Sequence, residues 1–160
     1  MVDLKIKIGS LFAGVGGIEL GFLSQKNFEV SWAVENDKYA QTTYKENFKH
    51  RLIEDDIEKV KGKSLSNVDI LTAGFPCQAF SISGYQKGFT DPRGNLFFEI
   101  IRIINELSKK PKVLFLENVK NLRTHDNKKT YRIIHQCLES LGYCVFTETL
   151  NTSTYTNIPQ

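Results

Sequence analysis

Apolar and polar positions alternate between two periods along this chain. Residues 5–12 form a short apolar-rich run stopped by Gly14, Gly16 and Gly17, which predicts a strand. A short helix to about Leu23 follows, then a strand over residues 30–35 and a helix over residues 38–48. Residues 68–73 predict another strand, ended by Gly74 and Pro76. Leu96, Ile100, Ile103 and Leu107 share one helical face, and Val113–Glu117 is a nearly continuous apolar strand. Ile134, Cys137, Leu138 and Leu141 line a helix that Gly142 can cap, and residues 143–150 alternate as a last strand. Strands alternating with helices predict an α/β fold, a doubly wound and mostly parallel sheet with helices on both faces. In such sheets ligands bind beyond the carboxyl ends of the strands.

Composition adds bounds. The chain has 160 residues, 41% apolar and 24% charged, the balance of one folded domain over residues 1–160. No apolar run is long enough to span a bilayer, and the first residues carry no signal-peptide core, so no membrane partner is expected. Cys77, Cys137 and Cys144 are odd in number and form no Cys-x-x-Cys pair. This argues for a reducing, cytoplasmic setting and against a disulfide scaffold or a metal site. The net charge of +3 is too small to identify a polyanionic partner. Lys120, Arg123, Lys128, Lys129 and Arg132 read on charge alone as a solvated loop and helix start.

Four strand ends carry residues suited to chemistry. The first is the turn of Phe12, Ala13, Gly14, Val15, Gly16 and Gly17, where glycines allow close approach to a ligand. Glu35, about twenty residues on, stands where an acidic side chain accepts from ribose hydroxyls. Together they predict a nucleoside site. A dinucleotide fingerprint would place its third glycine where Glu19 stands, and a carboxylate there repels a pyrophosphate. S-adenosylmethionine, a sulfonium without phosphate, tolerates that acidic surround, so the pattern leans away from a dehydrogenase. At the third end Pro76 presents Cys77 stiffly, and a helical turn starting there would favour its thiolate. An inert buried thiol fits Cys137, and Cys144 in the last strand, better than Cys77. At the fourth end, Glu117 and Asn118 follow an apolar run. Desolvation there favours the neutral carboxyl, suited to sharing a proton with a substrate.

FAGVGG, GFPCQAFS, DPRGNLFFEI and ENVKN, in this order and spacing, resemble successive motifs of the cytosine-5 DNA methyltransferases. The resemblance covers essentially the whole chain. It implies the class I, Rossmann-like fold of S-adenosylmethionine-dependent methyltransferases, with S-adenosyl-L-methionine as cofactor and double-stranded DNA as partner. It implies transfer of a methyl group to carbon 5 of a cytosine flipped from the stack, as the modification enzyme of a restriction–modification system. Cys77 would form a covalent adduct at carbon 6, Glu117 would hold the base, and Asn118 would position Glu117. Phe12, Ala13, Gly14, Gly16 and Gly17 would receive the methionine portion of the cofactor, and Glu35 the ribose. Asn36, Asp56, Ile57, Pro76 and Leu96 would complete the site towards the adenosyl group. Asn36 stands where the family often carries an aromatic residue. The segment over residues 81–95 would be the lid that closes over DNA, with Ser81, Ser83, Lys87 and Arg93 towards the nucleic acid.

The resemblance leaves two alternatives. A related transfer-RNA methyltransferase would show Pro-Pro-Cys, where this chain has Phe75-Pro76-Cys77. A non-catalytic DNA-binding relative of the same fold should have lost Cys77 or Glu117, and both are kept. The resemblance also implies a chain truncated before the last antiparallel strand, the target-recognition region and the closing motifs. As a fragment, or a subunit whose complementary chain carries those motifs, it would be inactive alone.

Overall fold

The computed structural model describes residues 5–76 and 96–156. They form two compact units, residues 1–118 and 119–160. The first is an α/β unit built on a parallel sheet of five strands, β1 Ile6–Leu11, β2 Phe28–Val34, β3 Arg51–Ile53, β4 Ile70–Gly74 and β5 Val113–Glu117. Its spatial order is β3-β2-β1-β4-β5. The strand order reverses between β1 and β4, which is the switch point of a doubly wound sheet.

Right-handed crossovers fix the layers. From β1 the chain steps to β2 and β3, placing α1 (Gly17–Leu23) and α2 (Lys38–Asn47) on one face. The return to β4 and then β5 steps the other way and places α3 (Leu96–Glu106) on the opposite face. Ring contacts agree: Phe22 of α1 meets both Phe28 and Phe115 edge-on. Phe115 is in register with Thr72, and Thr72 with Ser10, so these share the α1 face. β1 is buried on both sides, with Ile8 and Leu11 at 0% exposure. Gly9 is glycine because the ring of the fully buried Trp32 occupies the place of its side chain. No helix among the described residues is long and apolar enough to cross a membrane.

α3 buries Phe97, Ile100, Ile103 and Ile104, while Leu96 is half-buried at the edge of that face. The apolar stripe is thus rotated slightly from the one read on Leu96. Arg102 turns to the other side of α3. It pairs with Glu99 at 2.6 Å and Glu106 at 3.0 Å, and donates to the carbonyls of Ile57 and Val60. A polar fork thereby clamps the 3-10 turn Ile57–Lys59 to α3.

The second unit holds α4, Lys129–Ser140, whose buried side chains are Thr130, Ile134, Cys137 and Leu138. Gly142, at φ +93°, ends it: Tyr143 N–H donates to the Leu138 carbonyl and Gly142 N–H to that of Glu139. This is the Schellman closure that the glycine predicted. Residues 143–150 are a correction. They take no place in the sheet, and Phe146 and Leu150 are 92% and 66% exposed. Alternation supplies two faces, but a strand exists only through backbone pairing, and none is made here among the described residues. Cys144, expected to be buried in that strand, is exposed.

Candidate functional site

Because all five strands are parallel, their carboxyl ends lie along one edge of the sheet. The turn after β1 is fixed by its backbone. Ala13 N–H donates to the Val34 carbonyl of β2 at 3.0 Å, and Gly16 N–H to the Ala13 carbonyl at 3.0 Å. Phe12, Gly14 and Gly16 have φ of 55°, 57° and 94°. At Phe12 the left-handed conformation costs about 1–2 kcal/mol, the kind of strain that collects at ligand sites. The glycines divide by cause. A side chain at Gly16 would collide with the Phe48 ring, so Gly16 is needed for packing. At Gly14 and Gly17 it would meet no atom of the described residues within 4 Å, and Gly17 has no positive φ to explain it. That open, side-chain-free surface on the turn is what a closely approaching ligand requires.

Glu35 follows β2 and is 8% exposed. Its Oε2 accepts from Gly14 N–H at 2.7 Å and its Oε1 from Asp37 N–H at 2.7 Å. The acidic residue expected at a ribose is therefore fastened directly to the glycine turn. Asn36 beside it is exposed. Asp56 caps the 3-10 turn after β3, accepting from Glu58 N–H at 3.0 Å, and Ile57 is buried at 4% exposure. Leu96 begins α3, half-buried, and Pro76 is exposed after the buried Phe75. Glycine surface, acidic acceptor and apolar wall together fit an adenosyl cofactor with a cationic methionine portion. The residues that the resemblance assigns to it are Phe12, Ala13, Gly14, Gly16, Gly17, Glu35, Asn36, Asp56, Ile57, Pro76 and Leu96.

The ends of β4 and β5 meet in register, Gly74 opposite Glu117. A side chain at Gly74 would stand 3.4 Å from Glu117 Oε2, an ordinary van der Waals contact that places the carboxylate beside this strand end. Asn118 Nδ2 donates to the Phe75 carbonyl at 2.6 Å, tying the end of β5 to the loop after β4. One expectation fails here. Glu117 is exposed, and β5 alternates between exposed and half-buried positions because it is an edge strand. An apolar run at a sheet edge does not supply the desolvation expected of a buried one. Cys77, Ser81, Ser83, Lys87 and Arg93 lie outside the described residues.

The structure adds a residue noticed in the sequence only for not being glycine. Glu19, in the first turn of α1, is 0% exposed. Neither carboxyl oxygen has a hydrogen-bond partner among the described residues. Burial pushes its carboxyl up, the Ser10 hydroxyl works against that, and the Glu35 carboxylate adds to it. Behind it the fully buried Tyr44 shares a 2.6 Å hydrogen bond with His50, and Phe48 packs against both rings. No sequence pattern flags this cluster, because it is assembled from α1, α2 and the segment before β3.

The family model for C-5 cytosine-specific DNA methylases matches residues 6–160. The chain is 52% identical over 156 residues to the type II methyltransferase M.Bsp6I of Bacillus sp. (strain RFL6), an alignment covering 97% of this chain and 49% of that protein. It is 50% identical over 166 residues to the type II methyltransferase M.HhaI of Haemophilus parahaemolyticus, covering 100% of this chain and 49% of that one. The chain thus spans about half the length of these curated relatives. Among solved structures, a mutant of DNMT2 from Spodoptera frugiperda superposes with a TM-score of 0.64 at 28% identity, over 84% of this chain and 41% of that one.

Proposed function

Since the chain belongs to the C-5 cytosine-specific DNA methylase family, we propose that it supplies the cofactor-binding and catalytic half of an enzyme that methylates carbon 5 of cytosine in double-stranded DNA. As with its type II relatives, the assigned setting is the modification half of a restriction–modification system. S-adenosylmethionine, when bound, supplies an electrophilic methyl group on a sulfonium. The remaining work falls to side chains of the chain. The target base leaves the stack, because carbon 5 is hidden within the duplex. The Cys77 thiolate forms a bond to carbon 6 while Glu117 holds ring nitrogen 3 and the exocyclic amine. Proton donation at nitrogen 3 draws off the charge, and the electron pair moves to carbon 5, which becomes the nucleophile. After methyl transfer, loss of the carbon 5 proton pushes electrons back and breaks the bond from carbon 6 to sulfur, freeing Cys77. Asn118 is a positioning residue. Glu35 receives the ribose, and the glycine turn the methionine portion.

One observation carries this reading: the hydrogen bond from Asn118 to the Phe75 carbonyl. It joins the strand end that bears Glu117 to the peptide two residues before Cys77, at the edge where the glycine turn also lies. The reading extends to the 160 residues by themselves lacking turnover, since the chain spans about half the length of its relatives. The test joins the chain to the C-terminal half of such a relative and supplies duplex DNA carrying 5-fluorocytosine, whose fluorine cannot leave as a proton. A covalent protein–DNA band is expected with S-adenosylmethionine present. Cys77→Ser should abolish the band and Cys137→Ser should leave it. A band that survives Cys77→Ser overturns the assignment.

A further inference from the structure

We infer that Glu19 is a specificity-determining carboxyl whose charge answers that of S-adenosylmethionine and so sets this cofactor apart from its neutral product, S-adenosylhomocysteine. The inference rests on the cofactor reading above. Three observations on the chain carry it. Glu19 is fully buried directly after the glycine turn, and neither oxygen meets full hydrogen-bond geometry among the described residues, with the Ser10 hydroxyl close enough only to support its charge weakly. Buried carboxyls are ordinarily satisfied, so an orphaned one calls for a reason. Its electrostatic neighbour is Glu35, whose carboxylate is itself bonded to Gly14 of the same turn. The remaining groups facing it are neutral. β1 contributes the Ser10 hydroxyl, and α2 contributes the Tyr44 phenol, which is bonded to His50. From β4, the register partner of Ser10 is Thr72, whose buried hydroxyl also has no partner among the described residues.

Two carboxyl groups therefore flank one turn, and no lysine or arginine among the described residues acts on Glu19. Without a cation the arrangement is balanced only if Glu19 keeps its proton, which burial and the Glu35 charge both favour. A cation on the turn reverses the preference. S-adenosylmethionine carries one more positive charge than S-adenosylhomocysteine, and in a desolvated site such a charge acts without contact. Binding the methyl donor then draws the proton from Glu19, and binding the product does not. Linkage makes the consequence reciprocal: affinity for the donor rises with pH while affinity for the product stays level.

The experiment is calorimetry on the 160-residue chain with S-adenosylmethionine and with S-adenosylhomocysteine, each in two buffers of different ionisation enthalpy and at several pH values. For the unaltered chain, proton release is expected with the donor and none with the product. The ratio of their affinities should rise with pH, by at most about tenfold per unit. Glu19→Gln, which keeps the shape of the neutral carboxyl, should remove the excess proton release and flatten the ratio. Glu19→Met should do the same. His50→Asn should leave both effects, which separates Glu19 from the nearby imidazole. Equal proton counts for the two ligands, or a pH-dependent ratio that survives Glu19→Gln, overturns the inference while leaving the cofactor reading intact. Failure of the unaltered chain to bind either ligand overturns both.

Discussion

At Glu35 a single carboxylate already serves the turn and, on the proposed function, would serve the ligand as well. A carboxylate has about four lone-pair positions, and backbone N–H groups of Gly14 and Asp37 occupy one on each oxygen. Those left over suit the two hydroxyls of a ribose. Glu35→Ala is expected to weaken S-adenosylmethionine binding by about 1.5–3 kcal/mol, measurable by calorimetry. Glu35→Gln should also weaken it, because an amide nitrogen would face a backbone N–H. Glu19 gives a prediction of opposite kind. Its carboxyl is held above the ordinary value of 4.5, so the folded chain binds this proton more tightly than the unfolded chain does. That contribution is fully present below the ordinary value and is lost as pH rises through the raised one. In urea titrations without cofactor, the stability of the unaltered chain relative to Glu19→Gln should therefore fall as pH rises. A difference that is flat in pH, or rises, would contradict the raised carboxyl.

The elements around the site divide their glycines between folding and binding, and substitutions can separate the two. Gly16→Ala places a methyl group against the Phe48 ring in a left-handed conformation, and a loss of at least about 1–2 kcal/mol of stability is expected. Gly17→Ala meets no atom of the described residues and sits in α1, where alanine is the better helix former. Thermal unfolding should show its stability kept, while cofactor affinity falls. On the other face, Arg102→Met would remove the partner of Glu99, of the Ile57 and Val60 carbonyls and of one oxygen of Glu106, whose other oxygen keeps Gly62 N–H. Urea unfolding should register a loss of about 3 kcal/mol. Much of this scale was legible in the sequence. The strand ends were marked by glycine, proline and acidic residues, and all four fall on one sheet edge. What was not legible depended on neighbours remote in the chain. Residues 143–150 alternate correctly but join no strand ladder among the described residues, and the apolar run before Glu117 turned out to be an edge. Glu19 faces Ser10 of β1 and Tyr44 of α2, neighbours that no local pattern around position 19 encodes.

For the molecule as a whole, a ligand that binds only the folded chain raises its stability by mass action. S-adenosylmethionine at a hundredfold of its dissociation constant should add about 2.7 kcal/mol, visible as a higher unfolding temperature. NAD, which must place a pyrophosphate at a turn flanked by Glu19 and Glu35, should leave that temperature unchanged. The sheet order has a further effect, on how the chain is made. β1 precedes the other four strands of its sheet in the chain, yet it lies in the middle, with β2 on one side and β4 on the other. Leu11 finds Val34 early, but its other neighbour, Ala73, is synthesised only after a further stretch of chain. At about 5–20 residues per second, the roughly 40 residues separating those two neighbours of β1 take about 2–8 s to add. For that interval the strand that will be the most buried has one bare edge, close to the ribosome. Pairings of such long range also place this topology among the slower folders, in the range of about milliseconds to seconds. The nascent chain is therefore a natural client for a holdase, and slowing elongation before β4 should lengthen the time it stays bound.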